Sequence, residues 1–320
     1  MSEKNSYSPH GVIPACLMPF TADFEINERA YRSHLQDIVS VEGITGIAIN
    51  GHAAEVHALT IDEQHRAVVV TKEELQNTVA TVVGIHTDSS LEAGRLAAYA
   101  QKEGADCLLV FPPNFMTLGG HLRPEMIFEH VGRITDASDL PIILFQFPLA
   151  SNLSYPLSTL LGLCERYPTI RAVKDMIGDG NQHEQQIREL KALDSPVKTL
   201  TTHSAWLLGS LSLGAEGILS GAGSVIADLQ VALFRAVQAE DFATAKAIND
   251  RIYPTVRAFY DAPLLDMHNR MKEALVILGK MQEAHVRPPL MKPTPSEIEK
   301  ISHMIDQAGL TPANVYRNAA

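Results

Sequence analysis

From Gly11 to about Gln238, eight short apolar runs alternate with longer segments of helical period, and no other feature of the chain restricts its fold as much. The runs cover residues 12–18, 43–49, 81–85, 107–111, 141–145, 170–173, 197–200 and 217–219. Each is too short for a helix, and several are rich in Val and Ile with few charges, as in strands buried on both faces. The segments between them carry apolar residues at helical spacing, most clearly over 27–41, 61–77, 89–103, 124–135 and 182–193. Thr60 with Glu63 three residues on forms a capping box, Asp88 and Ser89 precede another helix, and Gly104 supplies a stop. Strands alternating with helices pair in parallel through right-handed crossovers. The rival is an open doubly wound sheet. The count of eight favours closure, and no G-x-G-x-x-G follows the first strand. Gly221-Ala222-Gly223 reads as a tight strand-to-helix turn. The predicted fold is therefore an α/β (β/α)₈ TIM barrel over 11–240, preceded by a polar segment, 1–10. Helical patterns over 243–258, 262–281 and 295–308 make 241–320 a C-terminal helical extension of the same domain.

A chain of 320 residues fits one such barrel. Its net charge is −11, from 26 Lys and Arg against 37 Asp and Glu, and no basic run occurs, which argues against nucleic acid. Cys16, Cys107 and Cys164 each lie in an apolar stretch and match neither a disulfide framework nor a zinc spacing, so they read as buried free thiols. The polar start lacks a signal-peptide core, and no segment approaches the length of a membrane span. No membrane partner and a cytoplasmic location are the expectations.

Barrel chemistry sits at the C-terminal ends of strands. Lys174 ends an apolar strand there. Burial disfavours an ammonium and frees the amine as a nucleophile; attack on a ketone gives a protonated imine, an electron sink for bond cleavage, addition or dehydration next to the carbonyl. The plainer alternative is a lysine paired with Asp175 or reaching to solvent. His52, Glu55 and His57 follow the second strand and His203 the seventh; their spacing matches no metal motif, and neither metal nor cofactor is called for.

At these residues the chain resembles the dihydrodipicolinate synthase / N-acetylneuraminate lyase family of class I aldolases. The resemblance runs from about Gly11 to Leu310. It rests on the opening Gly11-Val-Ile-Pro, the Gly51…Glu55…Leu59-Thr60…Glu63 stretch, Leu140-Pro-Ile-Ile-Leu-Phe-Gln-Phe-Pro148, Ala172-Val-Lys-Asp175 and Leu213-Gly-Ala-Glu-Gly-Ile-Leu-Ser220. It implies the barrel with three extra helices, a homotetramer built as a dimer of dimers, and Lys174 as a Schiff-base lysine for a small 2-oxo acid, with an aldehyde as a second substrate. The departures are specific. The family's Gly-Thr-Thr-Gly-Glu loop reads Gly51-His52-Ala53-Ala54-Glu55, although backbone amides could still hold a carboxylate. The catalytic tyrosine falls on Phe145, the subunit-crossing tyrosine on Pro113-Asn114-Phe115, and the substrate-gripping arginine near Leu149-Ala150. Synthase chemistry is therefore not expected.

Lys174, His52 and His203 remain as catalytic candidates, the histidines because imidazole can take over proton transfer. Ala53, Ala54, Phe145 and Leu219 are the substrate-contacting candidates. Phe111, Phe115, Phe145 and Phe147 would make the site apolar, with at least half of these rings packing behind the strands instead. The function read from this is a Schiff-base lyase: an aldolase, hydratase-aldolase or dehydratase. The alternative is a 2-oxo-acid-binding or regulatory homologue that lost turnover with the strand-5 tyrosine.

Overall fold

The computed structural model describes residues 7–317 apart from His203. Eight strands, β1 (Gly11–Pro14), β2 (Gly46–Ile49), β3 (Ala80–Ile85), β4 (Cys107–Val110), β5 (Ile142–Gln146), β6 (Ile170–Asp175), β7 (Lys198–Thr201) and β8 (Gly217–Ser220), pair in parallel in the order β1-β8-β7-β6-β5-β4-β3-β2. Parallel bridges Val12–Ile44 and Ala15–Ala48 join β1 to the approach and body of β2, so the sheet curls into a nearly closed barrel. The crossovers are α1 (Glu28–Val39), α2 (Ile61–Leu75), α3 (Ser90–Lys102), α4 (Pro124–Ala137), α5 (Leu157–Arg166), α6 (Gly180–Lys191), α7 (Leu207–Ser212) and α8 (Gly223–Gln238). Thr60 and Glu63 complete a capping box on α2, and Ser89 caps α3. Gly104 takes φ +84° after α3.

The first strand is shorter than its apolar run, ending at Pro14, although Ala15 N still donates to the Ser220 carbonyl (3.0 Å) and Cys16 N to the Ala48 carbonyl (2.8 Å). Val12, Ile13, Cys16, Leu17 and Met18 are all buried nevertheless, as are the other two cysteines. Each large apolar side chain withdrawn from water in this way contributes about 1.5–3 kcal/mol.

Three helices follow the barrel: α9 (Phe242–Tyr260), α10 (Met267–Ile277) and α11 (Pro295–Gln307). The helix expected over 262–281 is shorter at both ends. Pro263 leads a 3-10 turn, Leu264–Asp266, and Gly279 at φ +67° turns the chain away after Leu278. The extension packs on α8, which is why α8 is buried over Gly223–Val231 rather than along one stripe. Among the described residues, no helix is long and apolar enough to cross a membrane.

Candidate active site

Strand parity decides where Lys174 points. Successive side chains of a strand alternate between the two faces. Asp175 faces the helices: its carboxylate accepts from Gln186 Nε2 on α6 (2.6 Å) and from the Ile177 amide (2.6 Å), and lies 2.8 Å from His183 Nδ1. Lys174 therefore faces the barrel interior, and Asp175 is not its partner. Nor does it reach solvent, being 6% exposed. Desolvation pulls its amine down from 10.5 to about 7.

A local irregularity brings Phe145 beside it. Ile142 pairs with Ile170, but Ile143 pairs with Ala172, so β6 carries one extra residue, Arg171. Without that shift Phe145 would sit beside Val173, on the helix-facing side. With it, Phe145 pairs with Lys174, and the Lys174 Nζ lies 4.1 Å from the Phe145 ring centroid.

The turn after β2 forms the facing wall. Asn50 takes φ +52° and donates from Nδ2 to the Gln64 carbonyl (2.9 Å). Gly84 on β3 makes room for this turn, since a Cβ there would lie 2.0 Å from the Asn50 oxygen. His52–Ala54 is a 3-10 turn in which Ala54 N is the first amide to find an acceptor within the turn (Gly51 O, 3.0 Å). Glu55, buried and at φ +53°, pairs with the buried Lys272 of α10 and accepts the Arg287 amide at 3.1 Å.

The His52 ring meets Phe111 (4.8 Å between centroids), Phe147 (5.6 Å), His86 (5.6 Å) and Phe145 (5.9 Å). Three of the four phenylalanines thus gather at the mouth, more than sequence reasoning allowed; Phe115 does not, being 44% exposed in the 3-10 turn Asn114–Leu118. Although part of His52 touches solvent, the surrounding rings desolvate it and hold its pKa well below 6.5, an effect strengthened by His86 and Lys174. Near neutral pH it is an uncharged imidazole, able to accept a proton or share a hydrogen bond but not stocked with a spare proton. Ala53 and Ala54 are buried in the turn, and Leu219 is buried on β8 beside Ile13 of β1. His203 lies outside the described residues.

Three residues near the mouth escaped the sequence reading. His86 follows β3, where the strand-end rule would have found it; burial lowers its pKa. His268 of α10 is buried with no hydrogen-bond partner on either ring nitrogen among the described residues, and burial lowers its pKa to about 3. Tyr260, the last residue of α9, accepts the Ala222 N–H at its hydroxyl (3.0 Å) and shares hydrogen bonds with Ser204 and Ser220, themselves 2.9 Å apart. These two came from the extension, where no local pattern marks a barrel mouth. Among the described residues no group of three or more His, Cys, Asp or Glu is arranged to hold a metal ion.

The geometry is that of a buried strand-end lysine in an apolar mouth. The profile of the Dihydrodipicolinate synthetase family matches residues 8–308. The chain belongs to that family. Curated members of the dihydrodipicolinate synthetase family are similar to it along most of its length. They include a 4-hydroxy-tetrahydrodipicolinate synthase of Methanopyrus kandleri, 28% identical over 308 residues (94% of this chain, 97% of that one). An uncharacterized DapA-like lyase of Thermococcus onnurineus is 29% identical over 237 residues (73% and 78%). In structure the chain resembles a prophage protein of the family from E. coli K12, solved in complex with pyruvate, with a TM-score of 0.87 at 22% identity, covering 94% of this chain and 99% of that one. Dihydrodipicolinate synthase from Aquifex aeolicus gives 0.85 at 22% identity, over 94% and 99%. These structures share the (β/α)₈ barrel.

Proposed function

We propose that the protein is a Schiff-base-forming lyase, an aldolase, hydratase-aldolase or dehydratase, that acts on pyruvate or another small 2-oxo acid through Lys174. The observation that carries this reading is the interior-facing, buried amine lowered to about 7, with the carboxylate of the adjacent Asp175 turned to the opposite face of the strand. The neutral amine attacks the ketone carbon to give a carbinolamine; this takes up one proton, loses the former ketone oxygen as water, and leaves an iminium whose nitrogen keeps its remaining proton. The iminium accepts electrons from the adjacent carbon, which permits cleavage or elimination there. The leading amides of the His52–Ala54 turn, unpaired among the described residues, would hold the 2-oxo acid's carboxylate, with Ala53, Ala54, Phe145 and Leu219 shaping the pocket, and the proton moved by His203 or by His52, the latter uncharged.

Phe145, Asn114 and Ala150 stand where synthase chemistry needs Tyr, Tyr and Arg, so aspartate semialdehyde is not the proposed acceptor. A less polar aldehyde fits the phenylalanine-lined mouth better. The three buried free thiols are in keeping with a reducing, cytoplasmic setting. We further propose a homotetramer built as a dimer of dimers. Phe115, Leu118 and Leu122, 44%, 90% and 73% exposed on the segment after β4, would be covered by a second copy of the chain.

The test is borohydride reduction in the presence of pyruvate and a panel of 2-oxo acids. A stable mass should appear on the peptide carrying Lys174 and vanish in Lys174→Ala. Labelling that persists in Lys174→Ala would refute the assignment. Trapping without turnover on any aldehyde, aspartate semialdehyde included, would favour the binding-protein alternative.

A further inference from the structure

The site has lost its strand-5 phenol, yet an aromatic ring stands at that position in contact with the reacting nitrogen. The Lys174 Nζ lies 4.1 Å from the Phe145 centroid, within the range of a cation–π contact. The ring is buried and wedged between Phe111 (5.3 Å, 77°) and Phe147 (4.2 Å, 35°), so its face is held toward the amine. Among the described residues no carboxylate forms an ion pair with Lys174; Asp175, next on the strand, is turned to α6. Of the other titratable groups, His52 from the turn after β2 faces the amine, and it is held uncharged. Among the described residues, the electron-rich face of the Phe145 ring is thus a favourable neighbour for a positive charge on this nitrogen.

Resting on the Schiff-base reading above, we propose that Phe145 is a catalytic residue whose ring face holds the positive charge of the Lys174 iminium. Imine formation from the neutral amine consumes one 2-oxo acid and one proton and releases one water, leaving a cation where none stood before. The ring stabilises that cation without itself gaining or losing a proton. Starting from the ammonium, by contrast, a cation already lies over the ring, and its contribution cancels.

This difference supplies the test. Mono-, di- and trifluorophenylalanine placed at 145 in the full chain keep the ring's shape while draining its face of negative charge. Pyruvate affinity is read from the borohydride-trapped fraction against concentration. At pH 9, where Lys174 is neutral, affinity should fall stepwise along the series, by about 2- to 30-fold in total. At pH 6 it should change little. Independently of any 2-oxo acid, the apparent pKa of Lys174, followed through modification by a neutral acylating reagent, should fall along the same series. An unchanged affinity at pH 9 with an unchanged amine pKa overturns the inference, and so does an equal loss at both pH values, which would mark ring shape rather than charge. If the unsubstituted protein traps no 2-oxo acid while the amine pKa still falls with fluorination, it is the Schiff-base reading that has failed and not the contact.

Discussion

An ammonium kept out of water opposes folding, and Lys174 does so in a pH-dependent way. The folded-state value of about 7 lies below the ordinary 10.5, so between them the unfolded chain binds more protons and stability rises with pH. The cost is full below about pH 7 and gone above about 10.5, amounting to a few kcal/mol at most. Lys174→Met should therefore raise Tm by several degrees at pH 6, with the gain shrinking toward pH 10. Melting curves that superimpose at both pH values would show that the amine carries no such burden. His52 lies on the other side of the mouth. With its pKa held well below 6.5, activity should not be lost by protonation of this ring until pH falls well under that value. His52→Gln should lower kcat by about 10²-fold or more while trapping at Lys174 persists. Full turnover in the variant would return the proton transfer to water or to His203.

At the scale of elements, the turn after β2 is held from outside the barrel. Glu55 of that turn pairs with Lys272 of α10, whose Nζ also donates to the His285 carbonyl (2.7 Å). Arg287 pairs with Glu63 at 2.5 Å and donates to the Ala58 carbonyl at 2.8 Å. The extension thereby clamps both ends of the segment 55–63. Removing one member of a buried pair leaves the other charge stranded, at a cost of about 3–5 kcal/mol. Lys272→Met should destabilise by that amount in denaturant titrations, and Glu55→Gln on the same chain should recover part of it. Additive losses in the double variant would show that the two do not act as a pair. The Thr60–Glu63 capping box was legible from spacing alone. That the same Glu63 also receives Arg287, 224 residues away, was not. Ion pairs of that kind leave no periodic mark.

The whole molecule presents an apolar surface that a lone barrel would not favour. Phe115, Leu118, Leu122 and Met126 lie on one stretch between β4 and the first turn of α4, all with large exposed fractions. A double substitution, Leu118→Asp with Leu122→Asp, should shift sedimentation from the proposed tetramer to smaller species without abolishing the fold. Unchanged sedimentation would move the interface elsewhere, and a monomeric parent protein would remove it. The net charge of −11 should keep such dissociated species in solution.

The number and order of strands were written in the chain, because eight buried apolar runs separated by amphipathic segments leave few ways to bury every strand on both faces. Lys174 was legible for the same reason: a lysine ending an apolar run is conspicuous, and strand-end position is local information. The direction of its side chain was not. That depends on parity along β6, on the extra residue Arg171 that brings Phe145 level with Lys174, and on α6 supplying the groups that take Asp175 away. The gathering of Phe111, Phe145 and Phe147 around His52, and the arrival of Tyr260 and His268 from the extension, are likewise products of packing between elements far apart in sequence. Hydrophobic period fixes which face of an element is buried; only the assembled barrel decides what that face is buried against.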